Sequence, residues 1–185
     1  MPEPLSLRVK ESIEGWISYF NTGDEASLRR VVHADCENYP ISEGQILVPG
    51  KGPAVFMGVA LMLRKGFPDL KLRKDEAVEI TLKDRESLLE KFTRPPFADV
   101  CPGNIGEIVD GFLKKAGTKV FLGTTLSGTN TGQFQGQITN KFTSDRQIHL
   151  LVIDKDGMIT SHGGCRNDLE RAQKLGLTKE STAGI

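Results

Sequence analysis

Apolar residues fall at helical spacing over 7–20, where Val9, Ile13, Trp16, Ile17 and Phe20 form one stripe and predict an amphipathic helix. Ser6 stands at its cap position, and Asn21-Thr22-Gly23 supplies the stop. Asp24 then predicts the cap of a short second helix, with Leu28, Val31 and Val32 inward and His33 at its end, where a cation suits the helix dipole. Glu37-Asn38-Tyr39 and 45–48 predict short extended pieces, punctuated by Pro40, Pro49 and Gly50. A third helix is expected over 53–65, with Pro53 at its first position and apolar residues nearly all round. Such a helix is buried on more than one side.

Gly66-Phe67-Pro68-Asp69 closes that helix, and 70–82 carries strand signals. Next, 84–92 predicts a charged helix that Arg94-Pro95-Pro96 breaks. Asn104-x-x-Glu107 has the form of a capping box before a helix bearing Ile105, Ile108, Val109, Phe112 and Leu113, which stops at Gly117. Residues 83–117 therefore predict a helical insertion between two strands of one sheet, placed over a cavity mouth or against a dimer surface. Beyond it, 118–128 alternates, with Val120, Leu122, Thr124 and Leu126 on one face. A long strand over 141–153, a turn at Asp154-Lys155-Asp156-Gly157 and a returning strand from Met158 to His162 predict a hairpin. A terminal helix over 167–175 and a polar tail over 178–185 complete a single domain spanning 1–185. Helices followed by a mostly antiparallel sheet make an α+β protein. A curved sheet wrapped by those helices would leave a cone-shaped pocket.

Composition narrows the function. Lys plus Arg and Asp plus Glu each total 24, so no basic field is available for nucleic acid and no polybasic stretch for a membrane surface. The longest apolar run, 54–63, is ten residues, against the ~20 that span a bilayer. Cys36, Cys101 and Cys165 are far apart, and no basic, apolar leader opens the chain. Free thiols and a cytoplasmic location are expected. The three histidines lack metal-ligand spacing, so neither a metal nor another cofactor is expected.

Four segments carry a resemblance. Phe67-Pro68-Asp69-Leu70 follows a buried helix, and Gly128-Thr129-Asn130-Thr131-Gly132-Gln133-Phe134 follows the alternating strand. Asp156-Gly157 precedes a strand ending in His162, and Gln173-Lys174-Leu175-Gly176 ends the terminal helix. In this order they resemble the SnoaL-like polyketide cyclases of the NTF2-like superfamily, over 7–82 and 118–177. The resemblance implies an α+β cone with an apolar cavity, a homodimer formed through the sheet, and a small apolar or polyketide-type ligand. It also implies intramolecular aldol closure without a metal, with an Asp near the start of the terminal segment as acid/base. Here that position aligns with Asn167, or with Asp168 after a one-residue slip, and Gly163 replaces the family's aromatic after the histidine.

Acid/base chemistry on a carbonyl compound needs a group to accept a C–H proton and a donor to steady the enolate oxygen. The proton-handling candidates are His149, on the strand face shared by Gln147, Leu151 and Ile153, His162, which matches the family histidine, and Asp168. Tyr39 and Asn167 are the candidate orienting donors. Trp16, Phe20, Phe56 and Met62, on apolar helix faces, are candidate substrate contacts. The expected activity is cyclisation, isomerisation or hydrolysis. The competing expectation is a non-catalytic module for ligand carriage or protein association.

Overall fold

The alternating stretches become the two central strands of one sheet in the computed structural model, which describes residues 5–43, 45 and 48–177. Strand β3 (Thr118–Thr129) pairs with β4 (Phe142–Ile153) along its full length, from Thr118 opposite Ile153 to Thr129 opposite Phe142. Around this pair stand β2 (Lys71–Ile80), β5 (Ile159–Arg166) and β1 (Val32–Pro40), in the order β1-β5-β4-β3-β2. All neighbours are antiparallel except β1 and β5. Register shifts at Lys74/Glu76, Val152/Ile153 and Val32/Glu37 interrupt the ladders; such irregularities bend strands and sharpen twist.

Period-two alternation sends successive side chains to opposite faces, and here each face has its own core. Val120, Leu122, Leu126 and Leu151 join residues of α1 (Leu7–Thr22) and α3 (Pro53–Gly66) in the larger cluster. Phe121, Ile148, Leu150 and Val152 point the other way, against α4 (Arg85–Thr93) and α5 (Ile105–Lys114). The insertion is thus helical as expected but is not a lid. Val109, Phe112 and Leu113, at most 4% exposed, are spent covering the sheet face away from α1 and α3. Asn104 stands at the cap of α5 without making the side-chain hydrogen bond its spacing suggested.

The second helix is shorter than the sequence pattern predicts. Helix α2 (Glu25–Arg29) ends before Val31-Val32, and Val32 opens β1 opposite Ile159. β-branched residues are stiff at χ1 and fit a pleated surface better than a helix. His33 consequently lies exposed on a strand instead of at a helix end. Of the piece expected over 45–48, Gln45 and Val48 belong to no strand, and 46 and 47 lie outside the described residues, as do 178–185.

The loop motifs are structural. Asp69 accepts from the Thr129 amide at 2.7 Å and its hydroxyl at 2.8 Å, tying the end of α3 to the end of β3. Asn130, 0% exposed, donates to the carbonyls of Gly66 and Gly132 and accepts from the Thr139 amide. A Cβ on Gly132 would stand 2.0 Å from the Lys65 carbonyl oxygen, so only glycine lets the loop approach the helix this closely. These residues set where α3 sits over the sheet, and hence the width of the space beneath it.

Candidate active site

That space is a narrow pocket on the α1/α3 side of the sheet, with about 30 Å3 of room for water-sized guests and about 510 Å3 only when the open solvent at its mouth is counted. Its apolar wall comes from Phe20 on α1, Phe56, Val59 and Leu63 on α3, and Leu72 and Leu126 on the strands. Its polar wall follows from strand register. Thr124, Gln147 and Arg166 stand opposite one another across β3, β4 and β5, and Leu122, His149 and Gly164 form the adjacent row. Side chains in such a row lie ~4.5–5.5 Å apart at Cβ. Gly164 adds no side chain; a Cβ there would come within 3.3 Å of His162 and Gln45.

The two histidines predicted from sequence meet here. His149 Nδ1 lies 3.0 Å from His162 Nε2, His149 Nε2 lies 3.0 Å from Thr124 Oγ1, and His162 Nδ1 lies 2.6 Å from Asn38 Oδ1. The amide oxygen only accepts, so His162 Nδ1–H donates to it. Nε2 of neutral His162 is then an acceptor, and His149 Nδ1–H donates to it. His149 Nε2 is left to accept from the Thr124 hydroxyl. The result is one directed chain, Thr124 to His149 to His162 to Asn38, with both tautomers fixed. Trp16 packs edge-on to His149, ring centroids 4.9 Å apart, and Phe56 edge-on to His162 at 5.1 Å.

Both rings are held neutral. Burial, then His162 and the Arg166 guanidinium, keep His149 well below its usual 6.5. Burial, then Arg166, push His162 down to about 3. This fixes a pH dependence of stability. Unfolded histidine takes up a proton as pH falls through 6.5, whereas buried His162 does so only near 3. Stability is therefore full above 6.5 and falls as pH drops toward 3, by ~1.4 kcal/mol per pH unit per histidine. Urea unfolding from pH 7 to 4 should show that slope, reduced in His162→Gln. An unchanged slope in that variant would place its origin elsewhere.

Other predicted residues are placed differently. Asp168 is not on the pocket wall. It pairs with Arg166 at 3.2 Å and Arg171 at 3.5 Å, while Asp145 binds Arg171 at 2.8 Å and Lys174 at 2.8 Å. Asn167 caps α6 (Asp168–Leu175), its oxygen accepting from the Glu170 amide at 2.9 Å. Tyr39 is one residue out of phase with Asn38. It packs on Gly163 within the opposite core, where burial pushes its hydroxyl up to about 12. Met62 joins the larger core outside the pocket wall, while Trp16, Phe20 and Phe56 line it.

Asn38, Gln147 and Arg166 complete the polar wall, although sequence reasoning did not single them out as site residues. Arg166 was accessible to it, standing four residues after His162 on the same strand face. Two donors on the wall meet no acceptor among the described residues: the Trp16 indole Nε1 and the Gln147 amide nitrogen. Their residues are 2% and 5% exposed, so each is a buried N–H facing a cost of ~1–3 kcal/mol unless an acceptor reaches it. The arrangement can receive an oxygen atom and, beside it, accept a proton on a neutral imidazole.

Neither family models nor curated proteins match this sequence. Solved structures do match the fold. TsrD from Streptomyces laurentii is 16% identical with a TM-score of 0.62, covering 95% of this chain and 100% of its own. A candidate polyketide cyclase from Bacillus cereus is 17% identical at 0.61, over 96% and 94%. A protein with a ketosteroid isomerase-like fold from Catenulispora acidiphila is 12% identical at 0.57, over 92% and 95%. Shared architecture at such identity leaves chemistry to the site itself. The chain has the α+β fold of the SnoaL-like polyketide cyclases and the ketosteroid isomerase-like proteins, helices against a curved, mostly antiparallel sheet.

Proposed function

We propose that this protein is a SnoaL-like, cofactor-independent acid/base enzyme acting on a small, largely apolar carbonyl or polyketide-type compound. The observation carrying this reading is the neutral His149–His162 pair chained inside an apolar pocket beside two unmet N–H donors. His149 is the base. When the Thr124 hydroxyl turns away, His149 Nε2 takes a proton from the carbon beside a carbonyl. The C–H electron pair moves to the carbonyl oxygen, giving an enolate that Gln147 and Trp16 hydrogen-bond. The imidazolium is steadied by its Nδ1–H bond to His162. The enolate carbon then attacks a second carbonyl of the same molecule, closing a ring as the His149 imidazolium returns its proton to the new alkoxide oxygen. Alternatively, the imidazolium returns the proton to another carbon of the enolate, isomerising it.

A second reading, ligand carriage without turnover, draws on α6. Asn167 spends its oxygen on a helix cap and Asp168 on two arginines, so the position where the family carries its acid is structural here. Exchange in deuterated water separates the two. A panel of β-keto esters and β-diketones, followed by proton NMR, should lose α-hydrogen signal faster with protein than with buffer. The His149→Gln variant should lose that acceleration. Protein that binds panel members with no acceleration of exchange would establish carriage.

A further inference from the structure

The pocket wall has a sign. Among the described residues lining it, Arg166 is charged and none is an Asp or Glu, and the two histidines stay neutral. Arg166 is 8% exposed, and its neighbour across the strand pair is Gln147, whose amide nitrogen meets no acceptor among the described residues. The Trp16 indole N–H meets none either. The guanidinium and the indole only donate, and the Gln147 amide nitrogen has a donor to spare, so this wall asks for an acceptor. The rest of the lining includes Phe20, Val59, Leu63 and Leu126, which ask for hydrocarbon.

We infer that the ligand is an organic acid: a carboxylate seated against Arg166, with its reacting carbonyl at the Gln147 and Trp16 donors and an apolar body between α1 and α3. This deepens the reading above, on which the acid also carries the reacting carbonyl. Asp168 pairs with the guanidinium and is itself shared with Arg171, which Asp145 also binds. Discrimination therefore arises from contact with a paired cation instead of from net charge. That points to a moderate preference, not an absolute one. A charged partner roughly doubles the strength of a hydrogen bond relative to a neutral one.

Trp16 is the sole tryptophan in the chain and lines the pocket, so intrinsic fluorescence reports occupancy directly. The full chain is titrated near neutral pH with octanoate, its methyl ester and octylamine. Octanoate is expected to bind about tenfold or more tighter than the ester, with octylamine weakest. Arg166→Gln should bring octanoate and ester to within about threefold, and Arg166→Lys, which keeps the charge without the planar fork, should retain part of the preference. An ester that binds as well as octanoate, a preference for the amine, no saturable response to any probe, or an unchanged ratio in folded Arg166→Gln each overturns the inference. Should Arg166→Gln fail to fold, the wild-type ratios and Arg166→Lys decide alone. Because no turnover is read, loss of proton exchange with the octanoate preference intact would remove the catalytic reading and leave the acid site. Exchange without that preference would do the reverse.

Discussion

Asp145→Ala is expected to lower the stability of the fold by roughly 3–5 kcal/mol, because it strands a buried cation. The Asp145 side chain is 6% exposed on β4 and accepts from Arg171 Nε at 2.8 Å. Arg171, whose side chain is 4% exposed, cannot turn to water, and its remaining contact, Asp168, is long at 3.5 Å and already engaged with Arg166. Removing Asp145 also takes one partner from Lys174, which keeps Glu170 and the Ser144 carbonyl. The exposed pair Arg29–Glu25, both side chains 62% exposed, is the control, and its loss should cost ~0.5 kcal/mol or less. Urea unfolding of the two variants checks the contrast. A loss below about 1 kcal/mol for Asp145→Ala would mean that the guanidinium is hydrated or re-paired, and that burial is not what makes this network matter.

The order of elements and the inward face of each long strand were legible because alternation is a local property. Thr124 falls on the same face as Leu122 and Leu126 by counting alone, and His149 with Leu151 likewise. The meeting of His149 with His162 was not legible. It needs the β4–β5 register, in which His149 faces Gly164 and the two rings touch diagonally. Tyr39 shows the same limit from the other side: a one-residue phase error moves a side chain to the opposite face, and the neighbour Asn38 takes the site instead. The terminal helix is the clearest case of competing demands. Asn167 and Asp168 sit where the family resemblance puts an acid, but a helix start needs a cap. Two arginines brought together by folding, Arg166 and Arg171, claim the carboxylate. Nothing in the spacing of those residues announces partners on β4.

The insertion shows why amphipathicity does not name a partner. Ile108, Val109, Phe112 and Leu113 required a surface, and the sequence pattern slightly favoured a cavity mouth over a dimer surface. The sheet itself supplied it, because Phe121, Ile148, Leu150 and Val152 present a second apolar face of matching extent. That face is consumed within the chain. The pocket on the other side therefore owes its shape to α1 and α3, and its chemistry to the rows of β3, β4 and β5.

For the proposed reaction, His149→Gln is expected to reduce the enzyme-dependent proton transfer rate by about 10²–10⁴-fold, the usual worth of a positioned general base. Glutamine keeps a polar group near Thr124 but has no lone pair basic enough to hold the substrate proton. His162→Gln should cost less. Its amide oxygen can still accept from His149 Nδ1–H, so the tautomer of His149 survives, while the ring that shares the imidazolium charge is lost. Thr124→Val, which leaves Nε2 without its hydroxyl partner, should move the pH profile more than the plateau rate. The pH profile gives the sharper discrimination. A histidine near 6.5 would lose base function as pH falls through that value, but burial and Arg166 hold His149 well below it and His162 at about 3. The neutral form persists, so the rate should stay level from pH 8 to 6 and fall only in more acid solution. An acidic limb centred near 6.5, or equal losses in His149→Gln and Asp168→Asn, would move the proton acceptor away from this pair.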